Sequence, residues 1–175
     1  MTKPVERIMV YLDGSEGSIL AMRLAVGLAD FMGAELYALS IVNTRALSDL
    51  VQSHIFLEAE REEYRKELFD DGARYLNHAV EMGRKKNIFV KGVNVSGSIA
   101  MGIKEKVDEL GIDLLVMGPP PRIRSRRDAL FDELESAMRT VDCSVFIARN
   151  EERIEKLYRS EERRVGKECR SRWAA

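Results

Sequence analysis

"RIMVYLDGSEGSILAMRLAVGLADFMGAELYALSIV", Arg7 to Val42, decides the fold. "RIMVYL" is short, apolar and rich in strand formers. "DGSEGS" is a cluster of turn residues. Apolar residues then recur at Ile19, Leu20, Leu24, Ala25 and Leu28, with Phe31 and Met32 beyond, which is helical spacing. Gly33 stands where a helix stop belongs. "AELYALSIV", Ala34 to Val42, is a second buried strand. The stretch is therefore a strand, a turn, a helix and a strand, the unit of a parallel sheet.

The unit repeats along the chain. "NTRALSDLVQS" reads as a loop or a short irregular helix. From about Ile55 to Lys86 the pattern is helical, with Leu57, Tyr64, Leu68, Leu76 and Val80 on one face. Ile88 to Val95 is a third strand. Ser98 is placed to cap a helix that buries Ile99, Ile103, Val107 and Leu110 and stops at Gly111. "IDLLVMG", Ile112 to Gly118, is a fourth strand. After a loop, Asp132 and Glu135 have the spacing of a capping box, and Leu134, Met138 and Val141 form an apolar stripe. Cys143 to Ala148 is a fifth strand. Continuous apolar strands between helices predict an α/β three-layer sandwich with right-handed crossovers. Ligands in such folds sit at the carboxyl ends of strands where the winding reverses. Two loops compete for that place, "DGSEGS" and "GPPPRIRSRRD".

The chain has 175 residues, 45% apolar and 33% charged, enough for one globular core. No run approaches the roughly 18 uninterrupted apolar residues of a membrane span. The N-terminus meets charge and a turn too early for a signal peptide, so a cytoplasmic address is expected. A net charge of −1 gives no support for nucleic-acid affinity.

"RSEERRVGKECRSRW", Arg159 to Trp173, has no apolar periodicity and resembles the in-frame translation of a common sequencing-library adapter. The reading sets 159–175 apart as a non-native tail, after a domain at 1–149 and a polar extension at 150–158, helical at best. That tail holds six of the 28 basic and three of the 29 acidic residues, so 1–158 carries a net charge of −4. Cys143 is then a single thiol, which agrees with a reducing compartment.

Strong catalytic patterns are absent. Neither G-x-x-x-x-G-K-[ST] nor G-x-G-x-x-G occurs. His54 and His78 lie on the long helix with no second ligand at metal spacing, so they read as surface residues and no metal is expected. Cys143 reads as a small buried hydrophobe. Aspartate phosphoryl transfer needs a second acid near Asp13, and Ser15 stands in its place. Two readings of Asp13 remain, a hydrogen-bond acceptor for a ribose or an Asx-type turn residue.

Taken together, "DGSE" after strand one, "DLLVMG" at strand four and "CSVFIA" at strand five resemble the universal stress protein family over residues 5–149. The resemblance implies an adenine-nucleotide α-hydrolase-like fold, a five-stranded parallel sheet in order 3-2-1-4-5, and a homodimer paired through strand five at Ser144, Val145, Phe146, Ile147 and Ala148. Members divide into ATP binders and others. The binders carry G-x-x-G, nine residues, then G-[S/T] after strand four. Here Gly118 keeps the first place, while Pro121, Phe131 and Asp132 stand at the others. Proline removes a donor, Phe131 adds bulk and Asp132 adds negative charge. The base-binding part is better kept, with Asp13 at the ribose position, Ile41 as an adenine wall, and Met117 and Gly118 at the end of strand four.

Arg122, Arg124, Arg126 and Arg127 could reach phosphate as side chains, form a solvated loop paired with Asp128, Asp132 and Glu133, or dock a protein partner at 122–127. The expectation is a stress-linked binding or regulatory module with no cofactor and no strong ATP binding, not an enzyme. The alternative is a nucleotide-binding member taking ATP with Mg²⁺, or AMP, with slow ATPase activity.

Overall fold

The computed structural model describes residues 4–53, 57–119 and 129–159. Five strands form one parallel sheet: β1 (Arg7–Leu12), β2 (Glu35–Asn43), β3 (Val90–Gly97), β4 (Leu114–Met117) and β5 (Ser144–Ile147). Their spatial order is β3-β2-β1-β4-β5, the order that the family resemblance implies. Among the described residues, six helices connect or follow them: α1 (Glu16–Met32), α2 (Thr44–Gln52), α3 (Glu58–Arg84), α4 (Ile99–Leu110), α5 (Ala129–Thr140) and α6 (Glu151–Arg159).

β1 is central. Ile8 lies opposite Leu36 of β2 on one side and Leu114 of β4 on the other. Successive side chains point to opposite faces, so each strand feeds two cores. Ile8, Val10, Leu12, Leu36, Ala38 and Val116 pack beneath α1, α3 and α6. Met9, Tyr11, Leu39, Ile41, Leu115 and Met117 pack beneath α4 and α5. Burial on both faces is why β1 and β4 read as unbroken apolar runs.

Local signals set the main boundaries. The Ser15 side chain accepts the N–H of Ser18 at 3.1 Å and starts α1. Gly33, at φ 62°, ends it in the left-handed conformation that glycine adopts without strain. Gly111 ends α4 in the same way.

Four local expectations change. The segment at Thr44 is a regular helix whose Leu47 is buried. The face of the long helix divides: Leu76 is buried, whereas Leu57 and Tyr64 are exposed. The Asp132 and Glu135 capping box does not open α5, which starts at Ala129. Both residues therefore lie inside the helix, and Glu135 pairs with Arg139 one turn on. The polar extension after strand five is an amphipathic helix. Its Ile154 is buried, and Leu157 lies 3.2 Å from where a Cβ on Gly27 would sit. Among the described residues, no helix is long and apolar enough to cross a membrane.

Candidate functional site

The winding reverses between β1, which turns toward β2, and β4 on its other side. At the carboxyl ends of β1 and β4 lies a crevice of about 400 Å³. Tyr11, Asp13, Ser15 and Gly17 line one side, Met117, Gly118 and Pro119 the other, with Leu134 of α5 above. The structure thus brings Asp13, Met117 and Gly118 together. Ile41 shares the core layer of Tyr11 and Met117, and its side chain packs against α4, where a Cβ on Gly102 would meet Ile41 Cδ1 at 2.8 Å. Arg122 and Arg124, with Pro121 and the rest of the 122–127 loop, lie outside the described residues, as do His54, the side chains of Phe131 and Asp132, and residues 160–175.

The crevice is narrow at its floor because Gly118 touches the first turn of α1. A Cβ on Gly118 would sit 2.6 Å from the carbonyl carbon of Gly17 and 2.9 Å from the nitrogen of Ser18. Asp13 Oδ1 accepts the N–H of Ser15 at 2.9 Å, so the Asx turn forms. The Ser18 hydroxyl donates to Ser15 O at 2.8 Å, which ties the turn to the helix.

Glu133 caps α4, a role its position in the sequence did not signal. It projects from α5 toward the start of α4. Its Oε2 accepts the Ile99 N–H at 2.5 Å, the Ala100 N–H at 3.2 Å and the Ser98 hydroxyl at 3.0 Å. Oε1 accepts Asn43 Nδ2 at 3.4 Å, a weaker contact at the end of β2. Ser98 occupies the N-cap position of α4 but its side chain makes no capping bond, so the long-range carboxylate replaces the local cap. Burial, then the charges of Asp13 and Glu133, push the Tyr11 hydroxyl well above the usual tyrosine range.

Of the remaining candidates, Cys143 is half-buried, and burial raises its thiol above the usual value, away from the reactive thiolate. Among the described residues, no three His, Cys, Asp or Glu converge to hold a metal. β5 pairs with β4 and, among the described residues, has no further strand beside it. Phe146 is 45% exposed there, whereas Ala148 is buried in the core.

The same architecture occurs in proteins of known family. A universal stress protein from Bacillus subtilis (strain 168), YxiE, is 30% identical over 118 residues, which is 64% of this chain and 77% of that protein. The crystal structure of a universal stress protein family member from Burkholderia pseudomallei superposes with a TM-score of 0.65 at 20% identity, covering 84% of this chain and 98% of the other. A universal stress protein crystallised in complex with cAMP gives 0.62 at 19% identity, covering 83% and 98%. The sequence profile of the universal stress protein family matches residues 4–149, from ahead of β1 to just beyond β5. With the parallel sheet in the expected order, that match places this chain in the universal stress protein family.

Proposed function

We propose that the protein is a cytoplasmic, stress-linked binding or regulatory module of the universal stress protein type that does not bind ATP strongly. One observation carries this reading. The described lining of the crevice carries the carboxylates of Asp13 and Glu16, and the α1 N-terminus that borders it already gives the Ser18 N–H to the Ser15 side chain. Free N–H groups at helix N-termini are what attract phosphate. Here one of those donors is taken, and the two carboxylates set negative charge against a phosphate. Missing charge-assisted hydrogen bonds cost roughly 1.5–3 kcal/mol each. Losing two or three weakens binding by about a hundredfold or more. Titration calorimetry of the full chain with ATP and Mg²⁺ tests this. The expected dissociation constant is about millimolar or weaker. Low-micromolar affinity, abolished by Arg122→Ala or Arg124→Ala, overturns the reading and gives the arginines the phosphate role.

A second reading, a nucleotide-binding member with slow ATPase activity, draws support from the relative in complex with cAMP and from the placement of Asp13, Met117 and Gly118 around one crevice. Mass spectrometry of nucleotide carried through purification separates the two. The partner in either reading is a second copy of the chain, joined through the open edge of β5, and the basic loop at 122–127 remains the surface for a different protein.

A further inference from the structure

We infer that the chain holds a second binding site, an apolar cavity between α1 and α3 for one small, neutral, planar aromatic molecule of the indole or phenol class. The cavity is about 290 Å³. Leu12, Ile19, Met22 and Ala79 wall it, and Tyr75 and His78 stand at its edge. Met22 and Ala79 are each about 1% exposed, so these walls belong to the packed core and are preformed. A dry apolar cavity of about 150 Å³ already accepts a benzene ring. This one has room for a second ring or a polar substituent.

The cavity exists because small groups face each other at the end of β1. Gly14 has no side chain, and the Tyr75 ring occupies the place its Cβ would take, 2.3 Å from the nearest ring carbon. Between Tyr75 and His78, α3 offers the small Ala79, where a larger residue would narrow the gap. Among the described residues the lining contains no Asp, Glu, Lys or Arg to balance a charged ligand. Polar handles are present, however. Neither the Tyr75 hydroxyl nor the His78 ring has a hydrogen-bond partner among the described residues. Two aromatic rings beside apolar walls favour a flat guest with one donor or acceptor.

This cavity is separate from the crevice. It opens on the face of the sheet that Leu12 serves, and the crevice on the face served by Tyr11 and Met117. The turn from Asp13 to Ser18 is the wall between them, and Ser18 borders both. A guest in the cavity therefore touches the segment that positions Asp13.

A ¹H–¹⁵N NMR titration of the full chain with indole tests the site. Saturable shifts at Leu12, Ile19, Met22 and Ala79 are expected, with a dissociation constant of about 0.1–1 mM for so small a ligand. Ile19→Trp fills the cavity and weakens binding about tenfold or more, and Tyr75→Phe removes one polar handle and weakens it about threefold. No saturable shift up to about 5 mM indole overturns the proposal, as do shifts confined to Tyr11, Asp13 and Met117. Unchanged affinity in whichever of the two variants keeps its fold overturns it too.

Discussion

The carboxylate of Glu133, in the first half of α5, accepts the backbone N–H of Ile99 at 2.5 Å and so caps a helix 34 residues away in sequence. A charged acceptor at a helix N-terminus satisfies orphan donors and meets the positive end of the dipole. Glu133→Ala should cost about 1–2 kcal/mol, in the range of N-cap losses. Glu133→Gln, which keeps one acceptor oxygen but no charge, should cost less. Urea unfolding of the three proteins checks the order.

Gly118 and Gly17 meet at the crevice floor but should not be equally sensitive. A Cβ on Gly118 strikes backbone atoms of Gly17 and Ser18, which cannot move without shifting α1. Gly118→Ala should destabilise by about 1–3 kcal/mol, as overpacking does. A Cβ on Gly17 meets the Pro119 ring at 2.9 Å. Gly17→Ala should come out near neutral, because alanine regains about 1 kcal/mol of helix propensity. Thermal melts of the two variants separate these outcomes.

α6 should hold the fold together although it begins beyond the last residue that the family profile matches. Ile154 is 6% exposed against α1, and Arg23 pairs with Glu155 beside it. Ile154→Ala should cost about 2–4 kcal/mol. Arg23→Ala should cost well under half of that, since the pair is part-exposed. Denaturant midpoints for the two variants check the ratio.

The open edge of β5 sets a sharper test of dimerisation than residue type alone. Ser144 and Ala148 both give their N–H to β4, so by alternation Val145 and Ile147 direct theirs to the open side. Val145→Pro should remove an outward donor, leave the ladder to β4 intact and yield folded monomers. Phe146→Pro breaks an inner bond and should give insoluble protein. Sedimentation showing a dimer for folded Val145→Pro removes β5 as the interface.

Tyr11 should govern the alkaline limit. Its hydroxyl is raised above the ordinary tyrosine value by burial and by the charges of Asp13 and Glu133. The folded protein keeps a proton that the unfolded chain releases near pH 10, so stability is intact below about pH 10 and falls above it. In an absorbance titration, one of the five tyrosines should ionise only with unfolding. Tyr11→Phe should flatten the decline in stability above pH 10. An unchanged slope argues against this assignment.

Strand and helix identity was legible where burial is two-sided or periodic. β1 and β4 are apolar because both faces of the sheet are covered, and α1 announces itself through the spacing from Ile19 to Leu28 and through Gly33. Those signals are local, and they carried the parallel sandwich with them, since parallel strands joined by helices cross over in one hand, whereas the strand order was implied by the family resemblance. The turn at Asp13 was equally local: its carboxylate reaches only to Ser15.

What the sequence could not rank were contacts between distant segments. Ser98 is a good capping residue by type, yet Glu133 arrives from another helix and takes the donors. α6 looks polar along its length, and only the position of Gly27 on α1 makes a seat for Leu157. His78 reads as a surface residue, and it is one, but the fold sets it at the mouth of an apolar cavity. Local propensity is written in neighbouring residues. Which carboxylate reaches a helix end, and which small side chains leave a space, depends on how helices are brought together over the sheet, and only the tertiary structure decides that.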